Sequence, residues 1–134
     1  MVLHRDASLP ATDIGYLDRV HPNWQLLREG NASWLLLPEF PIPSGYSQSG
    51  VTVALRIEPG YPDTALDMVY FSPFVSRKDG QAIGATEARA SIGGREFQRW
   101  SRHRTAQNPW IPGEDDIQTH LLLVDHWLKR EFLK

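Results

Sequence analysis

The C-terminal part of the chain carries a single apolar stripe at helical spacing. Ile117, Leu121, Val124 and Leu128 follow one another at intervals of four, three and four residues, so they fall on one face of an α-helix. Acidic residues precede this stripe and basic residues follow it, which suits the two ends of a helix dipole. A helix with one apolar face buries it against another layer, so the rest of the chain has to supply that layer.

The middle of the chain predicts that this layer is an antiparallel sheet. Residues 51–57 place apolar side chains at every second position, which is the period of a strand. Residues 24–28 and 33–37 predict a hairpin, and residues 66–71 predict a fourth strand. Consecutive strands joined by short turns form a meander. We therefore predict one α+β domain over residues 1–134, a four-stranded antiparallel meander packed on the C-terminal helix.

Three further segments complete the predicted fold. Asp13 is expected to cap a short helix that ends before Pro22. Residues 38–50 contain three prolines and two glycines, which predicts an extended connection rather than the interior of a strand. Residues 77–94 are polar and rich in glycine with little periodicity, so we predict a long loop there.

Composition excludes several classes of function. The chain of 134 residues has no cysteine, which rules out a disulfide, a thiolate nucleophile and zinc held by sulfur. The formal net charge of -2 gives no electrostatic reason to expect nucleic acid or an anionic membrane as a partner. No apolar run approaches the roughly 18 residues of a membrane span, and residues 1–10 lack the apolar core of a signal peptide. We expect a cytoplasmic protein.

The sequence does not support a metal or cofactor site. His120 and His126 are six residues apart, which does not place them on one face of the C-terminal helix. Gly93-Gly94 is a turn signal and not a phosphate-binding loop. We therefore expect no metal and no cofactor.

The order of motifs from Phe40 onward carries a family resemblance. A proline-rich connection leads into a strand and a Tyr61-Pro62 turn, the next strand closes on Ser72-Pro73, and Trp110-Ile111-Pro112 precedes the amphipathic helix. This order resembles the ubiquitin-conjugating enzyme fold, and Trp-Ser-Arg-His at 100–103 is similar to the prokaryotic ubiquitin-conjugating-like families of bacterial conjugation operons. The resemblance implies three partners: a ubiquitin-like modifier, its activating enzyme and an isopeptidase from the same operon. It also implies a role in antiphage defence.

Two departures from that family pattern bear on the chemistry. The eukaryotic enzymes have a catalytic cysteine shortly before the Trp-Ser-Pro segment, and a His-Pro-Asn motif upstream of it. Here the cysteine position falls within residues 99–104, RWSRHR, and no His-Pro-Asn follows Pro73. His21-Pro22-Asn23 lies before the first predicted strand, outside that structural context. The resemblance therefore places the reactive position within residues 99–104, but these residues do not include the expected cysteine nucleophile.

Residues 99–104 contain groups that can perform acyl transfer without a cysteine. A serine carries an acyl group as an oxyester when a base takes its proton, and histidine is the usual base. Ser101 and His103 are two residues apart, so an extended backbone points them the same way. The predicted catalytic residues are therefore Ser101 as carrier and His103 as its base. In a second version His103 itself carries the acyl group.

Other residues are expected to frame this site. Arg99, Arg102 and Arg104 would stabilise a developing oxyanion or hold an acidic partner. Trp100 and Trp110 would form its walls. In the ubiquitin-conjugating enzymes an acidic residue near the start of the following helix orients the incoming lysine. The resemblance implies that role for Asp115 or Asp116, and the spacing does not choose between them.

Each of these residues also has a structural interpretation. Ser101 can be an exposed loop serine, His103 can pin the loop to a backbone carbonyl, and the two tryptophans can be packing anchors. The absent cysteine and the absent His-Pro-Asn favour a different function, a non-catalytic scaffold that binds the modifier or its activating enzyme. A nucleic-acid-binding domain would need a basic face that extends well beyond residues 95–104, and the overall charge does not favour it.

Overall fold

An antiparallel sheet forms the centre of the molecule, which the computed structural model describes over residues 3–4 and 9–134. Within these residues the sheet has seven strands in the spatial order β1-β2-β3-β4-β5-β7-β6. The strands are β1 (Leu3–His4), β2 (Gln25–Glu29), β3 (Ala32–Pro41), β4 (Gly50–Ile57), β5 (Val69–Ser72), β6 (Arg89–Ile92) and β7 (Arg95–Trp100). The absence of a signal peptide was predicted from residues 1–10, and most of these lie outside the described residues.

Two helices cover one face of this sheet. Helix α1 (Ala11–Val20) precedes β2, and α2 (Ile117–Arg130) ends in a short 3₁₀ turn over Glu131–Leu133. The predicted stripe of α2 is buried in the larger apolar cluster, together with Leu17 of α1 and Val53 and Leu55 of β4. The α+β class and the packing of the C-terminal helix on an antiparallel sheet are therefore confirmed.

The opposite face of the sheet carries a smaller apolar cluster. Leu27, Trp34, Ala54, Tyr70 and Phe97 pack there, each next in sequence to a residue that faces the helices. Alternation along a strand sends neighbouring side chains to opposite faces, so both faces of the central strands are apolar.

The prediction of four strands was wrong, because the sheet also contains β1 at one edge and β7 and β6 beyond β5. Residues 77–94, predicted as a loop, contain β6, which forms a hairpin with β7 across Gly93-Gly94. Both glycines have positive φ, 59° and 77°, so the turn signal there was correct. Strand β6 lies at the sheet edge and has only four residues, with Arg89 and Ser91 exposed and Ala90 and Ile92 turned inward. An alternation of two apolar residues, one of them alanine, is too short to identify a strand.

The proline-rich connection was also predicted too long. Strand β3 runs on to Pro41, and its register with β4 shifts between Leu37 and Phe40. Pro38 falls inside this irregularity and Pro41 lies at the end of the strand. Proline donates no hydrogen bond to a sheet, and both positions tolerate that loss.

The prediction that Asp13 caps the first helix was wrong, because Asp13 binds the start of α2 instead. Helix α1 begins at Ala11 after Pro10, so Asp13 lies inside it. The Asp13 carboxylate instead accepts a hydrogen bond from the backbone N–H of Ile117, 3.1 Å away, at the start of α2. Asp13 therefore joins the two helices, a contact between residues distant in sequence.

Candidate functional site

Ser101 lies directly after β7, where the chain leaves the sheet. Its backbone N–H donates to the carbonyl of Ala85, and its Oγ accepts a hydrogen bond from Arg99 Nε at 3.2 Å. The hydroxyl is half-buried and makes no hydrogen bond to His103. The structure therefore does not join Ser101 and His103 into a nucleophile and base pair.

His103 is held by a residue that the sequence did not indicate. Its Nδ1–H donates to Asp67 Oδ2 at 2.8 Å, and 62% of the His103 side chain is exposed. The Nε2 atom makes no hydrogen bond with the described residues. A carboxylate on Nδ1 fixes the imidazole tautomer and leaves the Nε2 lone pair available to take a proton. The arrangement can act as a general base.

The His103–Asp67 pair lies in a shallow groove of about 390 Å³. Its lining residues are Ala65, Leu66, Asp67, His103, Arg104, Thr105, Pro109 and Trp110. Of the predicted site residues, the groove brings together His103, Arg104 and Trp110. Trp110 is fixed by a hydrogen bond from its Nε1–H to the carbonyl of Pro62, at 2.9 Å.

Arg104 forms part of the groove wall although only 9% of its side chain is exposed. Its guanidinium stacks on Trp110 with the carbon 4.8 Å from the ring centroid. Its Nη2 donates to Nδ1 of His120 at 3.1 Å, and its Nη1 lies 3.9 Å from Asp115 Oδ2. Burial lowers the pKa of Arg104, and the carboxylates of Asp115 and Asp67 act in the opposite direction.

The other two arginines of the segment are tied to different parts of the molecule. Arg102 forms a 2.7 Å ion pair with the buried Glu131, and its guanidinium lies 5.0 Å from the ring centroid of Trp100. Arg99 bonds to Ser101 and interacts with the hydroxyl of Tyr70. Neither side chain lines the groove of His103.

Trp100 belongs to the core. It is fully buried in β7, packs edge-on against Phe71, and donates from Nε1 to the Gln98 side chain. These contacts agree with the structural interpretation of Trp100 as a packing anchor. Trp110, which is half-buried, is the tryptophan that lines the groove.

The two acidic residues before α2 have different partners. Asp116 is the N-cap of α2 and exchanges hydrogen bonds with Thr119 in a capping box. Asp115 accepts from the backbone N–H of Ile111 at 2.8 Å and faces Arg104. Of the two, Asp115 is therefore the one paired with a residue of the groove.

His120 is a buried residue that sequence reasoning considered only as a metal ligand. Its Nε2–H donates to the carbonyl of Met68 at 2.9 Å, and its Nδ1 accepts from Arg104. A carbonyl only accepts and a guanidinium only donates, so these two partners fix a neutral tautomer. Burial lowers the pKa of His120 to about 4.

Asp67 and His120 escaped the sequence analysis for different reasons. Asp67 precedes β5 and has no sequence neighbour that suggests a role. His120 lies one position before Leu121 of the buried stripe, and a polar residue beside a buried face was the available signal. Among the described residues no three histidine, aspartate or glutamate side chains converge on one point. None of the described helices is long and apolar enough to cross a membrane.

Comparison with known proteins assigns the chain to a family. The model of prokaryotic E2 family E matches residues 9–131, which is almost the whole chain. The chain belongs to prokaryotic E2 family E. No curated protein and no solved structure matches it.

Membership of this E2-like family confirms the coarse part of the sequence-based resemblance. A family E protein is ubiquitin-conjugating-like, which supports transferase-type activity and contact with a modifier and an activating enzyme in general. This member has no cysteine anywhere in its sequence. The groups available for acyl transfer are therefore oxygen and nitrogen nucleophiles.

Proposed function

We propose that this family E protein transfers the C-terminal acyl group of a ubiquitin-like modifier without a cysteine, with His103 and Asp67 as its proton-transfer pair. The observation that carries the proposal is the 2.8 Å contact between His103 Nδ1 and Asp67 Oδ2 in an open groove. The contact orients the imidazole and leaves Nε2 exposed. The modifier, its activating enzyme and an isopeptidase are the partners that such a pathway implies.

The proposed step is a proton-coupled acyl transfer. A nucleophilic hydroxyl or amine attacks the carbonyl carbon of the activated modifier, and its proton passes to Nε2 of His103. The bond from that carbon to the donor's leaving group then breaks, and the leaving group departs with the electron pair. Asp67 stabilises the imidazolium, which afterwards releases its proton to the leaving group or to water.

Ser101 is the proposed oxyester carrier within this mechanism. Its Oγ is bound by Arg99 and not by His103, so loading of Ser101 requires the His103 side chain to leave Asp67 and turn toward Ser101. In that loading step His103 acts without the carboxylate, and the His103–Asp67 pair serves the transfer to the acceptor. The exposure of His103 leaves room for that rotation. If Ser101 does not carry the acyl group, there are two other versions. The acceptor group attacks the activated modifier directly, or Nε2 of His103 carries the acyl group as a short-lived acyl-imidazole.

A covalent-adduct assay tests these versions. The protein is mixed with its activating enzyme, the modifier and ATP, and run on denaturing gels with and without reductant and with alkaline hydroxylamine. A Ser101 oxyester survives reductant, breaks in hydroxylamine and vanishes in Ser101→Ala but not in Ser91→Ala, an exposed serine of β6. Conjugation to a target that falls about 100-fold in His103→Ala, and not in the exposed His126→Ala, assigns His103 to the reaction as base or as carrier.

The alternative function is a non-catalytic scaffold that binds the modifier or its activating enzyme. The lack of cysteine and the engagement of Ser101 by Arg99 favour it. If the activating enzyme adenylates the modifier, yet neither an adduct nor a His103-dependent conjugate forms, transfer is refuted. Retained binding to the modifier or the activating enzyme would then establish the scaffold.

A further inference from the structure

Arg104 is a buried cation with too few partners. A guanidinium has five N–H donors. In the described structure, one of them donates to His120 and the Nη1 group is 3.9 Å from the Asp115 carboxylate, which is beyond hydrogen-bond distance. Its Nε–H is buried and has no hydrogen-bond partner. A buried charge usually has its donors satisfied, so this deficit calls for an additional acceptor.

The neighbouring charges do not supply that acceptor. His120 is neutral in its observed tautomer and offers a lone pair but no negative charge. Asp115 Oδ2 accepts from the backbone N–H of Ile111 and lies beyond hydrogen-bond distance of Arg104, and Asp67 Oδ2 accepts from His103. Arg104 lines the open groove, so a ligand bound there can supply the acceptor that the protein does not.

We propose that Arg104 is the anion-binding residue of this groove, that its ligand is the carboxylate at the carboxyl end of a peptide, and that His120 positions it. The inference rests on the proposed function, in which the modifier's carboxyl end is the reacting group. During transfer Arg104 would face the oxygen that becomes negative, and after hydrolysis it would hold the free carboxylate.

The geometry explains why His120 is needed for this role. The planar guanidinium is held between the Trp110 ring and the Nδ1 acceptor of His120, which sets its orientation. His120 is in turn anchored through Nε2 to the carbonyl of Met68, just before β5. The helix α2 thus reaches the groove through a buried side chain, and the binding residue is preorganised by the core.

Nuclear magnetic resonance tests anion binding without any transfer. The probe is N-acetylglycine, a small peptide-like carboxylate, and the control is N-acetylglycinamide at matched ionic strength. We expect the side-chain Nε–H resonance of Arg104 and the indole N–H resonance of Trp110 to shift saturably with the carboxylate and not with the amide. Binding should weaken at least about tenfold in Arg104→Gln and remain unchanged in Arg28→Gln, an exposed arginine of β2.

Two substitutions of His120 separate positioning from general stability. His120→Asn keeps an acceptor near the Nδ1 position, whereas His120→Gln keeps a donor near the Nε2 position and loses the acceptor that faces Arg104. Both remove part of a buried side chain, so thermal unfolding is measured for each. We expect His120→Asn to retain more carboxylate affinity than His120→Gln at equal folded fraction. Equal affinities in the two variants would overturn the positioning role.

The outcomes also distinguish this inference from the proposed function. Equal shifts with the carboxylate and the amide, or a carboxylate response unchanged in Arg104→Gln, would overturn the anion site even if His103-dependent transfer occurs. Carboxylate binding that depends on Arg104, in a protein that fails to transfer the modifier, would uphold the anion site and refute transfer.

Discussion

At the scale of single residues, three arginines that look equivalent in sequence have unrelated partners. Arg99 bonds to the Ser101 hydroxyl, Arg102 is paired with Glu131 beneath the C-terminal helix, and Arg104 lies in the groove wall. Only 14% of the Arg102 side chain and 5% of the Glu131 side chain are exposed. Their pair is therefore a structural element, and its charge is not available to a partner.

The burial of that pair predicts a stability difference between the arginines. Arg102→Ala leaves Glu131 without its main countercharge, so we expect a loss of about 3 kcal/mol in the free energy of unfolding. Arg99→Ala removes a half-buried hydrogen bond and should cost about 1 kcal/mol. Urea denaturation measures both. Equal losses would contradict the assignment of Arg102 to the core.

Asp67 gives a second prediction at this scale. Asp67→Asn keeps the shape of the side chain but removes the charge that stabilises the His103 imidazolium. We expect conjugation to fall about tenfold to 100-fold while the free energy of unfolding stays within about 1 kcal/mol, because the pair is exposed. Asp125→Asn, which breaks the exposed Lys129 pair on α2, is the matched control. An unchanged conjugation rate in Asp67→Asn would remove Asp67 from the mechanism.

At the scale of elements, the start of α2 is held by two aspartates with different origins. Asp116 caps the helix locally through Thr119. Asp13 reaches it from α1, with Oδ1 accepting from the Ile117 N–H and Oδ2 accepting from the Tyr61 hydroxyl at 2.6 Å. Asp13 is buried, and desolvation raises its pKa. One carboxylate therefore ties together α1, the start of α2 and the turn after β4.

Loss of the Asp13 contact should cost more than loss of the local cap. Asp13→Ala leaves the Tyr61 hydroxyl and the Ile117 N–H without their partner, so we expect about 3 kcal/mol of destabilisation. Asp116→Ala removes an N-cap and should cost about 1 kcal/mol. Tyr61→Phe removes one of the two donors, so its free energy of unfolding should lie between those of the wild type and Asp13→Ala. Denaturant unfolding of the three variants checks this order, and the reverse order would refute it.

At the scale of the whole molecule, buried titratable groups shape the dependence of stability on pH. His120 has a pKa of about 4 in the folded protein against an ordinary value of 6.5. The unfolded chain therefore binds a proton between these two values while the folded protein does not. The contribution of neutral His120 is fully present above about pH 6.5 and is lost as pH falls toward 4. Asp13, whose pKa is raised, opposes this trend, because its carboxyl group favours the folded state more at low pH.

The His120 shift predicts a specific loss on acidification. A difference of 6.5 minus 4 corresponds to about 3 kcal/mol between neutral pH and pH 4. In His120→Gln the free energy of unfolding should no longer show this part of its dependence on pH, although the variant is less stable at pH 7. Urea unfolding at several pH values between 7.5 and 4.5 measures the slopes. Equal slopes in the two proteins would show that His120 is not held neutral.

The sequence was sufficient for the patterns that repeat locally. The stripe of α2 and the alternation of β4 follow from their periods, so the class and the order of the main elements were predictable. Strand β6 was not, because its apolar alternation consists of Ala90 and Ile92 alone. The motif order and the run at 100–103 pointed to the E2-like family and to the segment that contains His103.

Which of those residues meet was decided only by the tertiary structure. Asp67 and His103 are 36 positions apart, and their contact exists because β5 and β7 are neighbours in the sheet. His120 reaches Arg104 because α2 packs on that sheet, and Trp100 is buried because β7 sends it toward the helices. Spacing along the chain suggested Ser101 and His103, two residues apart. In the structure the Ser101 hydroxyl instead bonds to its near neighbour Arg99, and His103 bonds to the distant Asp67. The second contact depends on strand register, which no local pattern encodes.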